Sequence, residues 1–93
     1  MIEYTPPTAQ QLQRLKEQLG YTGEQMAALA SVAGGAQWRK YTGGEQPRQL
    51  NLHMLFFIAA RLSLDAPTLE RIAGKMHDIG AHLDAQALVT PPA

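Results

Sequence analysis

The chain has 93 residues, a length that suits one domain with one modest core. A hydrophobic fraction of 45% excludes a disordered chain. Eight Lys+Arg balance eight Asp+Glu for a formal net charge of +0, which excludes a strongly basic nucleic-acid coat protein but leaves open a site-specific reader, since that needs only a local basic patch.

The absence of cysteine excludes disulfides and thiolate metal sites and fits a reducing compartment. The start, MIEYTPPT, has neither the basic region nor the apolar run of a secretory signal. The longest apolar run, Met54 to Ala60, is far short of a membrane span. A cytoplasmic protein that does not engage a membrane is expected.

Residues 1–7 read as an extended lead, because the residues before Pro6 and Pro7 are steered away from helical dihedrals. Thr8 and Gln11 form a T-x-x-Q capping box that starts a helix over about Ala9 to Leu19, with Leu12, Leu15 and Leu19 as its apolar stripe and Gly20 as its stop. Thr22 and Gln25 repeat the box for a second helix, in which Met26, Leu29 and Ala30 share one face. The third helix is placed at about Gly35 to Thr42, with Trp38 and Tyr41 as buried anchors. Residues 43–47, Gly-Gly-Glu-Gln-Pro, make a turn. A fourth helix is expected from near Arg48–Leu50 to Leu62, apolar almost all round. A fifth, capped by Asp65, runs from about Ala66 to Leu83. Its Leu69, Ile72, Met76, Ile79 and Leu83 are spaced 3-4-3-4, a narrow seam that either packs on its own chain or forms a dimer interface. The expectation is therefore an all-α, five-helix bundle in one domain. Its core spans 8–64, its C-terminal helix 66–84 is available for dimerisation, and its ends, 1–7 and 86–93, are flexible.

The order helix, Gly-Tyr-Thr, short helix, turn, short helix, Gly-x-x-Pro, apolar helix resembles the phage-repressor (Xre/Cro-type) helix-turn-helix family. The residues that carry the resemblance are QRLKEQLGYTGEQMAALASV, then WRKYTGGEQPR, then LHMLFFIAARL, about two-thirds of the chain. It implies a lambda-repressor-like fold, duplex DNA as partner, a homodimer matching a palindrome, and transcriptional control. The DNA-contacting set is then Thr22, Gln25, Gly35, Gln37, Arg39, Lys40, Thr42 and Arg48. Gln37 and Lys40 would face bases, while Arg39, Arg48 and Thr22 or Thr42 would face the backbone. Three features depart from the family pattern: Gly23 after the helix-2 threonine, a slightly longer connection before the third helix, and Gly34-Gly35-Ala36 where base-reading side chains are expected. With the neutral charge, these keep a second reading open, a protein-interaction module on the same scaffold that no longer reads DNA.

Catalysis and cofactors are not expected. No serine, histidine and acid grouping is visible, Gly43-Gly44 lacks the Lys-Ser/Thr of a phosphate loop, and His77 and His82 are five apart, off the spacing of a helical metal pair. No metal and no small-molecule ligand is expected.

Overall fold

Threonine hydroxyls set the first two helices in the computed structural model, which describes residues 1–92. Gln11 N–H donates to Thr8 Oγ1 at 3.1 Å, while Thr8 N–H donates to Gln11 Oε1 at 2.9 Å. Helix α1 (Ala9–Leu19) runs from there until Gly20 turns left-handed at φ 68°. The reciprocal pair Thr22 and Gln25, at 2.8 and 3.1 Å, starts α2 (Gly23–Ala30) in the same way. Both boxes satisfy amide donors that a helix start would otherwise leave orphaned. Ser31 ends α2 at φ 59°, the one non-glycine residue in the left-handed region among those described. Helix α3 (Gly35–Thr42) follows.

Three further helices complete the chain: α4 (Leu52–Ser63), α5 (Ala66–Ile79) and α6 (Ala85–Val89), with no strand among the described residues. Among the described residues the class is all-α as expected, with six helices rather than five. The start of α4 is set by Asn51, whose side chain accepts from Met54 N–H at 2.9 Å, so Arg48 to Leu50 precede the helix. Gly80, at φ 119°, stops α5 four residues before the expected end at Leu83. The apolar spacing of the seam continues past Gly80, but the backbone does not. The segment 86–93, expected as a flexible end, contributes most of α6, and residue 93 lies outside the described residues. No described helix is long and apolar enough to cross a membrane.

The core lies among the first four helices. Leu12, Met26, Leu29, Trp38, Tyr41, Leu50 and Ile58 are buried in one cluster, with Leu15, Leu19 and Met54 packed on its edge. Trp38 fills its centre, its ring 6.2 Å from that of Tyr41. Full burial of each large side chain contributes about 1.5–3 kcal/mol, so these anchors fix α3 against α1 and α2. Leu69, Ala73 and Leu88 are buried outside that cluster, where α5 packs against α6. The lead is tied at Tyr4, whose hydroxyl donates to the Leu50 carbonyl at 2.7 Å.

Arg61, on α4, holds α6 in place. Its Nη1 donates to the Ala28 and Leu29 carbonyls, both at 3.0 Å. Its Nε donates to Leu88 at 3.1 Å, and its Nη2 to Ala87 at 3.2 Å and Thr90 at 3.0 Å. These carbonyls belong to the C-terminal ends of α2 and α6, which carry partial negative charge, and of them Ala28 also accepts the Ser31 N–H at 3.2 Å. One planar fork thus satisfies two helix ends, and its carbon lies 5.6 Å from the centre of the Phe57 ring.

Candidate nucleic-acid interface

The polar side of α3 borders a cleft of about 370 Å³ lined by Gln13 and Lys16 of α1, Gly23 of α2, and Trp38, Arg39, Thr42 and Gly43. Leu12 is buried on α1, which brings the next residue and Lys16 round to the side that faces α3. The capping box at Thr22 places the first residue of α2, Gly23, at the same cleft. Arg39 reaches back to this helix start: its Nη1 would lie 3.7 Å from a Cβ placed on Gly23 and 3.3 Å from one on Gly35. An ammonium, a guanidinium and the positive end of α2 therefore share one concavity, which suits a phosphate oxygen.

The remaining expected contacts divide into two groups. Arg39, Lys40 and Arg48 are exposed, and Gln37 and Thr42 are half-buried on α3. The Arg48 N–H donates to the Lys40 carbonyl at 2.7 Å, which folds the 43–47 turn back and sets Arg48 beside the end of α3. Thr22, Gln25 and Gly35 are already engaged. The first two bond each other, and the Gly35 N–H donates to Glu24 Oε1 at 2.8 Å. Gly35, one of the expected DNA contacts, is thus buried with its N–H bonded to a carboxylate. An added Cβ at Gly35 would lie 2.8 Å from that same oxygen.

Sequence reasoning missed Lys16, Gln13 and Glu24 here. Nothing local marks them, because their roles arise when α1, α2 and α3 meet. The Trp38 Nε1 is buried and makes no hydrogen bond within the protein. Of the seam residues, Leu69 is buried and belongs to the interior, and Leu83 lies beyond α5, half-buried, its carbonyl 2.8 Å from His77 Nε2. Only Ile72, Met76 and Ile79 remain as exposed members of the expected dimer surface. Among the described residues no three His, Asp or Glu gather into a group that could hold a metal ion. Comparison of the chain with protein-family models, with curated proteins and with solved structures finds no match.

Proposed function

We propose that this chain is a DNA-binding regulator of transcription, repressor-like, that reads duplex DNA with α3 as a homodimer. The observation that carries this reading is the gathering of Lys16, Arg39, Lys40 and Arg48, four of the eight Lys and Arg residues in a neutral chain, around one eight-residue helix. A local positive edge of this kind is what a site-specific reader requires. Lys16 and Arg39 hold one backbone phosphate at the start of α2. Gln37 and Lys40 face base edges, and Thr42 and Arg48 hold the backbone beyond them. Thr22 and Gln25 contribute by fixing that helix start. The resemblance to Xre/Cro-type repressors supplies the output, control of a nearby operon.

A salt titration tests this. Binding to palindromic duplexes selected from a random pool is expected to weaken steeply with salt, and Arg39→Ala with Lys40→Ala is expected to reduce the slope by about 1, for the phosphate contact of Arg39, and to relax sequence selectivity where Lys40 faces a base edge. Selective binding that ignores the double substitution excludes α3 as the reader.

A second reading, an interaction module on the same scaffold, is favoured by one observation: the Glu24 carboxylate sits against the first turn of α3, next to Gly34-Gly35-Ala36, where a reader presents side chains. Failure to bind any member of the pool at low salt supports this alternative.

A further inference from the structure

We infer that Glu24, a residue of α2, supplies the base-reading side chain at the tip of α3 and selects cytosine there, a role that rests on the proposed reading of duplex DNA by α3. In a helix-turn-helix the N-terminal residues of the second helix meet the base edges in the major groove. Here those residues are Gly34, Gly35 and Ala36, and none has a side chain that donates or accepts a hydrogen bond.

The polar group at that turn comes from the neighbouring helix. Glu24 is the second residue of α2, and its Oε1 accepts the Gly35 N–H at 2.8 Å. Its Oε2 lies 3.7 Å from the place of a Cβ on Gly34 and accepts no hydrogen bond among the described residues. The side chain is exposed, and two glycines leave nothing beyond their backbone between it and a groove. The bare turn and the acid are one arrangement, because a Cβ on Gly35 would stand 2.8 Å from Oε1. Phosphates repel a carboxylate, and two features offset part of that repulsion. The Gly35 amide opens α3 and carries the positive end of its dipole. Arg39 Nη1 lies 3.3 Å from the same Gly35 Cβ position, which brings a guanidinium close to the acid.

The chemistry of the free oxygen chooses the base. An ionised carboxylate has acceptors and no donor. In the major groove guanine presents acceptors, and thymine an acceptor and a methyl group, so neither satisfies it. Adenine offers its N6 amine beside the N7 acceptor, whereas cytosine offers its N4 amine without one. With Oε1 held by Gly35, one acceptor remains for the base, and that matches cytosine. Any other base leaves a desolvated carboxylate unpaired, so the charge discriminates by rejection as well as by attraction.

Selection of duplexes from a random pool by the full chain, followed by fluorescence anisotropy on single-base variants of the selected site, tests this. One position of each half-site should read cytosine, and replacing that base should weaken binding about 5-fold or more. Glu24→Ala should flatten that one position and leave the others as they were. A residue that only props α3 would instead weaken every sequence alike. Glu24→Gln keeps an acceptor for Gly35 and adds an amide donor, so it should admit adenine at the same position, a readout that holds even where the alanine variant loosens α3. Selective binding in which no cytosine position responds to either variant, or in which Glu24→Ala lowers affinity uniformly and Glu24→Gln leaves base preference unchanged, overturns the role of Glu24 alone. A chain that selects no duplex overturns the reading of DNA by α3, and the role of Glu24 with it.

Discussion

Glu24 and Gly35 are eleven residues apart in sequence, yet the Glu24 carboxylate accepts the Gly35 N–H at 2.8 Å and sits where a Gly35 side chain would begin. The acid caps α3 from outside its own helix, and the glycine leaves the space for it. The two should therefore be energetically coupled. Alanine is favoured over glycine in a helix by up to about 1 kcal/mol. Gly35→Ala should gain a few tenths to about 1 kcal/mol in a Glu24→Ala background and lose that gain when Glu24 is present. Urea melts of the four chains give the coupling, and strict additivity would refute it.

The same carboxylate bears on DNA. It places negative charge at the first turn of the helix proposed to enter the groove. Glu24→Gln keeps an acceptor for Gly35 and removes the charge. Affinity at low salt should rise about 2–5-fold, the equivalent of roughly 0.3–1 kcal/mol for a charge at a helix terminus, and the gain should shrink as salt is added. Unchanged affinity in fluorescence anisotropy would place Glu24 away from the bound duplex.

Arg61 should be among the costliest polar residues to replace. Arg61→Met takes a donor from five carbonyls, of which Ala28 keeps the Ser31 N–H. A loss of about 2–4 kcal/mol is expected, because hydrogen bonds to charged groups are worth more than neutral ones. Lysine should recover little, having no planar fork. Hydrogen exchange at Leu88 to Thr90 reports the release of α6, and protection unaffected by Arg61→Met would show that apolar packing alone holds it.

Ser31 occupies a left-handed conformation at φ 59° without being glycine. Ser31→Gly should stabilise the fold by about 1 kcal/mol, the usual steric cost of that region for an L-residue. A thermal melt shifted downward would mean that the serine side chain contributes more than its backbone costs.

Asp65 caps α5, and its carboxyl is held below its ordinary value of 3.8 by hydrogen bonds from the Thr68 side chain, then from the Thr68 N–H, with a smaller pull from Arg71. A carboxylate with a depressed value stabilises the folded state at pH above 3.8, and that contribution is lost as pH falls through the folded value. Asp65→Asn keeps the cap and should flatten this part of the acid limb in pH-dependent melts. An unaltered acid limb would show that other carboxylates govern it.

Local chemistry made much of the fold legible in advance. The Thr8–Gln11 and Thr22–Gln25 boxes, the Gly20 stop and the Trp38 and Tyr41 anchors all lie where residue type and spacing place them, because each depends on neighbours within one turn. Apolar spacing misled at the end of α5, where the pattern through Leu83 outlasts a helix that Gly80 has already ended. The sixth helix has five residues, too few to stand on propensity, and it owes its place to Arg61 and to burial of Leu88. At the candidate site, exposure of Arg39 and Lys40 follows from the polar side of α3, and that of Arg48 from its place after the 43–47 turn. The parts played by Lys16 and Glu24 depend on contacts between helices that no local pattern encodes.

The bond from the Tyr4 hydroxyl to the Leu50 carbonyl joins positions 46 residues apart. It closes the stretch that contains α1, α2 and α3 into a ring, latched where the lead meets the approach to α4. Subglobal opening of those three helices then has to unlatch both ends together, so their amides should exchange as one cooperative unit, and Tyr4→Phe should speed them as a group while leaving α5 untouched.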